Sequence, residues 1–126
     1  MSQPLHPRTE QVLAGAFQAL REWSVLWNYT ALPRTLNIVF NQAETSVMGT
    51  CHVASDTVFL SGALLQPQNE SLLLETLCHE ASHWMAFRRF GLGIEPHGPE
   101  WQAYMRRAGY EPRVFLHGED AHGVDH

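Results

Sequence analysis

The chain has 126 residues, 44% of them hydrophobic; that suffices for one domain with a buried core, and no run is apolar enough to span a membrane. Its net charge of −5, with no lysine at all, argues against a general electrostatic grip on nucleic acid, although five of the eight arginines fall between Arg88 and Arg113. The first residues lack the charged-then-apolar pattern of a signal peptide, so the expectation is a cytoplasmic protein with Cys51 and Cys78 as free thiols.

Residues 1–126 read as a single domain, with about 1–8 and 117–126 as flexible ends. Thr9 is placed to cap a first helix over about residues 10–29. Leu13, Phe17, Leu20, Trp23 and Trp27 recur there at helical spacing, widened by Val12, Ala16 and Leu26, which is the pattern of core packing. Pro33 ends that region. Residues 36–40 alternate like a strand, and residues 47–53 give a second, with Val47, Cys51 and Val53 on one face. A turn at Ala54, Ser55 and Asp56 leads into a third strand over residues 57–61. A helix, antiparallel strands and then helices make an α+β order.

Next comes the stretch from Asn69 to Phe90, which contains neither Gly nor Pro. Asn69 suits an N-cap, Glu70 and Glu75 suit the positive end of the helix dipole, Arg88 and Arg89 suit the other end, and Gly91 supplies a stop. Leu73, Leu74, Leu77, Ala81, Trp84 and Met85 form one apolar stripe, and Cys78 on its flank reads as a small core residue. His79 and His83 project from the opposite face. They belong to His79-Glu80-Ala81-Ser82-His83, a His-Glu-x-x-His motif. Residues four apart share a helix face, so two imidazoles can grip one zinc ion while the carboxylate beside them takes a proton from the metal's water.

A loop punctuated by Gly91 and Gly93 then leads to His97-Gly98-Pro99-Glu100-Trp101. Pro99 fits the first turn of another helix, which runs to about Ala108 with Trp101, Tyr104 and Met105 on one side. His97 sits at the mouth of that helix, where a third ligand belongs. Tyr110 and Arg113 follow within reach of a cleft, and Arg88, Arg89, Arg106 and Arg107 read as solvated helix ends rather than a binding patch. His6 and His52 have no partners by spacing, and the polar tail with His117, His122 and His126 reads as solvated. No Gly-x-Ser-x-Gly elbow, phosphate-binding glycine loop or Cys-x-x-Cys pair competes as a catalytic device.

These residues resemble the SprT-like zinc metallopeptidases, the group that includes the Spartan proteases. The resemblance runs from Met48 to about His117. It is carried by Met48-Gly49-Thr50-Cys51, by Val58-Phe59-Leu60-Ser61 with Leu64 and Leu65 after it, by His79 to His83, and by His97-Gly98-Pro99-Glu100-Trp101. It implies a zincin-like fold: an N-terminal helix, a small three-stranded, mainly antiparallel sheet, the metal-binding helix and a following helix. It also implies one zinc ion held by His79, His83 and His97, with Glu80 as catalytic base. A metzincin arrangement would need a histidine where Arg89 stands. A gluzincin arrangement would cast Glu100 as third ligand, and it ranks below His97. The four-cysteine zinc ribbon that many members carry cannot be built from Cys51 and Cys78, so the chain resembles the catalytic core alone.

The expected activity is hydrolysis of peptide bonds in protein substrates. By resemblance these include proteins associated with or crosslinked to DNA, although the acidic charge weakens the link to DNA. An extended substrate would pair with the strand beside the metal helix, making Val58, Phe59 and Leu60 contact candidates through an open edge. Tyr104, Tyr110, Arg106 and His117 are candidates for steadying the oxyanion. The rival reading is a non-catalytic module that keeps zinc for structure and binds protein or nucleic acid.

Overall fold

A computed structural model describes residues 7–41 and 47–114. The tail histidines and His6 lie outside these residues, as do most of the expected loose ends; Pro7 and Arg8 already belong to a helix. Helix α1 spans Pro7–Leu26 and α2 is a single turn, Leu32–Thr35. Strands β1 (Asn37–Asn41), β2 (Gly49–His52) and β3 (Thr57–Ser61) follow, then the long helix α3 (Glu70–Phe90) and the short α4 (Pro99–Arg107). Among the described residues no helix is long and apolar enough to cross a membrane.

Helix α1 starts earlier than expected. Pro7 opens it, because a first-turn residue needs no backbone N–H, and Thr9 lies inside the first turn. The helix stops when Asn28 turns left-handed at φ 56°. Its buried face is Val12, Ala16, Leu20, Trp23 and Trp27, whereas Phe17 and Leu26 are about half exposed. The apolar stripe was wide enough to admit either phase, and tertiary packing selected the one that stacks Trp23 on Trp27, ring centroids 5.7 Å apart. Pro33 does not break the chain here; it sits in the first turn of α2.

The sheet has the order β1-β3-β2. β2 and β3 form an antiparallel hairpin across the turn at Val53–Ser55 and Asp56, while β1 runs parallel to β3 in the register Asn37↔Thr57 to Asn41↔Ser61. The sheet is therefore mixed, where the sequence suggested mainly antiparallel pairing. Alternation with period two reveals which face of a strand is buried but not which way its neighbour runs. It follows that β3 is the central strand, with a neighbour on each side. Val58 and Leu60 point into the core at 0% and 1% exposure, as the middle of a sheet requires.

Helix α3 is the axis of the domain. Every residue from Thr76 to Ala86 is buried, so its histidine face is covered as fully as its leucine face. Gly91 ends it at φ 89°, a conformation only glycine takes without strain. Asn69 marks its start, but the side chain donates to the Ala63 carbonyl (2.8 Å) instead of capping the helix. At the far end Asp56, the last residue of the hairpin turn, accepts from Trp84 Nε1 (3.0 Å) and from Arg88 (3.2 Å), fastening the hairpin to α3. Trp27 Nε1 donates to the Tyr104 carbonyl (2.8 Å), which ties α4 to α1.

Candidate metal centre

One helical turn separates His79 from His83, and α3 turns both toward the N-terminal end of α4. His97 arrives there from the loop before α4, its carbonyl held by Gln102 Nε2 at 3.0 Å. Among the described residues these three histidines form the group able to hold a metal ion, their ligand atoms all within 4.8 Å of one another. His79 and His83 are buried and His97 is partly so. His83 Nε2 and His97 Nε2 are 3.2 Å apart. Two nitrogens bound to one tetrahedral zinc at the usual length lie about 3.3 Å apart, so this separation and an all-imidazole donor set suit that ion. Glu100 is not in the group; it lines a groove elsewhere.

Glu80 occupies the same space without joining the ligands. Its Oε2 is 4.0 Å from His79 Nε2, and its Oε1 is buried with no hydrogen-bond partner among the described residues. Burial pushes its carboxyl well above the ordinary 4.5, because a desolvated charge is costly. Thr76, one turn earlier on α3, is likewise buried, with an unpartnered Oγ1. Gly49 of β2 lies against both. A Cβ placed on it would fall 3.1 Å from Glu80 Cγ and 3.1 Å from Thr76 Cγ2. Only a glycine lets that strand approach so closely, and this side of Glu80 was not apparent from sequence.

Trp101 was read as a packing residue of α4 and proves to be the centre of the site's support. Its ring lies 4.9 Å from that of His79, 5.4 Å from His83 in a stacked arrangement, and 4.8 Å from His97. Its Nε1 donates to the His79 carbonyl at 3.0 Å. The side chain is fully buried. The one signal in the sequence was its place four residues after His97.

The other expected site residues lie elsewhere. Val58 and Leu60 are sealed in the core, and Phe59 faces the opposite side of the sheet against His52 (4.8 Å). Because β3 is central, the expectation of strand addition on its edge is corrected: it has no free edge. Tyr104 is 3% exposed and packs edge-on to Trp27 at 5.6 Å, so it does not face substrate. Tyr110 packs against Trp23 (6.3 Å). Arg106 reaches Gln102 on its own helix. Arg113 makes a two-pronged pair with Glu75, one turn before His79 on α3. Cys78 is a buried core thiol pushed up to about 12, chiefly by burial; both cysteines are free thiols.

The sequence model of the SprT-like family matches residues 16–119. A protein named Protein SprT from Pseudomonas syringae pv. tomato is 36% identical over 69 residues, covering 55% of this chain and 42% of that protein. Another of the same name from Shewanella oneidensis is 39% identical over 57 residues, covering 45% of this chain and 36% of the relative. The matched stretch thus spans less than half the length of these relatives. No solved structure gives a significant match.

Proposed function

The chain belongs to the SprT-like family, and from that premise we propose that it is a zinc-dependent peptidase that hydrolyses peptide bonds in protein substrates. The observation that carries the reading is a division of labour: three imidazoles gather their nitrogens at one point while a buried carboxylate stands 4.0 Å from one of them, outside the ligand set. A structural zinc site gains nothing from a buried carboxylate outside its ligand set, so the arrangement favours catalysis over a purely structural ion.

A zinc ion held by His79, His83 and His97 would polarise a carbonyl and acidify a water. Glu80, raised in pKa by burial, is suited to accept the attacking water's proton and return it to the leaving amine, since a carboxyl that titrates nearer neutrality does both. Gly49 lies against the hydrocarbon stem of Glu80 and the methyl of Thr76. Among the described residues β2 has a single sheet neighbour, and it lies against Glu80, so an extended substrate would pair along its outer edge. Arg113, held by Glu75 one turn before His79, is a candidate for steadying developing negative charge.

Proteins bound or crosslinked to DNA are the substrate class that the family resemblance proposes. Metal content of protein purified without added metal, and cleavage of casein with and without chelator, test the reading. We expect about one zinc per chain, cleavage abolished by chelator, and Glu80→Gln retaining the metal but losing at least about a hundredfold in rate. Full activity in Glu80→Gln would refute the assignment of the base. Adding single-stranded DNA to the same assay tests the substrate class, with an unchanged rate on a DNA-bound protein counting against it.

A further inference from the structure

The C-terminal ends of α1, α3 and α4 border a groove of about 420 Å³. Buried Trp27 and Tyr104 line it, together with exposed Leu26, Phe90, Arg89 and Arg107 and, at the start of α4, the single carboxylate Glu100. A recess of about 200 Å³ shares Trp27, Tyr104 and Arg89 with it. Of the six large hydrophobic side chains exposed among the described residues, Val25, Leu26, Phe90 and Leu92 belong to these two helix ends and the residues just after. Scattered apolar exposure is ordinary, but a cluster beside a groove marks a contact surface.

The arginines of the groove combine a ring contact with the lack of an ion pair; Arg21, Arg34 and Arg106 also have no ion pair among the described residues. Arg88 is answered by Asp56, and Arg113 by Glu75. Arg89 and Arg107 have no carboxylate within ion-pair distance among the described residues. Instead each guanidinium sits over a ring, Arg89 over Phe90 at 5.5 Å and Arg107 over Tyr104 at 5.4 Å. A guanidinium already positioned by a ring loses less freedom when it meets an anion. On a chain of net charge −5, an acidic partner is repelled by most of the surface and drawn to this place.

We propose that this groove docks an acidic amphipathic peptide segment of a partner protein. Its carboxylates meet Arg89 and Arg107, and an apolar side chain enters between Leu26 and Phe90. The surface favours peptide over nucleic acid because Phe90 is its one half-exposed ring, Trp27 and Tyr104 being each 3% exposed, and two arginines beside Glu100 make no basic track for a phosphate backbone. Docking here does not depend on the peptidase reading.

The test is fluorescence anisotropy of the zinc-loaded full chain with a panel of short labelled peptides. These carry Leu or Phe at helical spacing among Glu and Asp, with lysine-inverted versions and a single-stranded oligonucleotide as competitors. Saturable binding of acidic peptides is expected. Arg89→Glu combined with Arg107→Glu should weaken it by at least about tenfold, as should Leu26→Ser with Phe90→Ser, without change in zinc content. Binding unaltered by the charge reversal would overturn the proposal. So would failure of every acidic peptide to bind, preference for the oligonucleotide, or sedimentation showing that Leu26 and Phe90 instead join two copies of the chain.

Discussion

Trp101 and His79 are joined twice: the indole Nε1 donates to the His79 carbonyl at 3.0 Å, and the two rings meet edge-on at 4.9 Å. Because the same indole touches His83 and His97, it couples the two histidines of α3 to the third, which precedes α4. Trp101→Phe keeps much of the packing and deletes the hydrogen bond. It should weaken zinc affinity by about tenfold or more, as loss of support behind a ligand usually does. Trp101→Ala should also cost about 3–5 kcal/mol in stability through the cavity it leaves. Competition with a chromophoric chelator reads the first effect and urea unfolding the second. Unchanged affinity in Trp101→Phe would reduce the residue to core filling.

Gly49 should separate metal binding from catalysis. Its added Cβ would lie 3.0 Å from Leu60 Cδ2 and 3.1 Å from both Glu80 Cγ and Thr76 Cγ2, so Gly49→Ala shifts the strand or these side chains, Glu80 among them, by a few tenths of an ångström. The three histidines are not among those neighbours. The variant should therefore keep its zinc and lose about tenfold to a hundredfold in kcat, since a small misplacement of a base is costly. Parallel measurement of metal content and casein cleavage checks this. Loss of zinc together with activity would show that the effect spreads through the whole site.

Much of this centre was legible because its signals are local. The spacing of His79 and His83 sets them on one helix face, Gly91 and Pro99 punctuate the return to His97, and residues 57–61 form β3 as expected. What escaped depends on contacts between distant segments. Alternation in residues 36–40 carried no sign that β1 would run parallel to β3. The histidine face of α3 looked open because its cover, Trp101 and β2, comes from elsewhere in the chain. Tyr104 shares a helix with Trp101, yet Trp27 claims its ring and its carbonyl.

Asp56 supports α3 from the opposite end, and its two bonds should not be equal in weight. Its partner Trp84 is fully buried, whereas Arg88 is exposed and its ion pair is screened by solvent. Asp56→Ala leaves the indole N–H without its acceptor and should destabilise by about 1–3 kcal/mol. Arg88→Ala loses a surface pair and a cation–π contact at 4.9 Å, together about 1 kcal/mol. Chemical unfolding of both variants gives the comparison. An Arg88→Ala cost equal to or above that of Asp56→Ala would mean that the ion pair is the stronger tie.

Removing the metal should expose the cost of keeping Glu80 buried. Its folded-state pKa lies well above the ordinary 4.5. Below the ordinary value the carboxyl is protonated in both folded and unfolded chains, and no penalty arises. As pH rises through it, the unfolded chain releases its proton first while the folded chain still holds it, so stability falls until the folded pKa is passed. Glutamine has no such proton. Zinc-free Glu80→Gln should therefore match the zinc-free parent near about pH 4 and become the more stable of the two toward neutrality. Titrating groups remote from the site are common to both proteins and cancel in the difference. Thermal unfolding in chelator across that range measures it. A pH-independent difference would mean that Glu80 is better solvated than its burial implies, and would remove the physical basis for treating it as a base tuned toward neutrality.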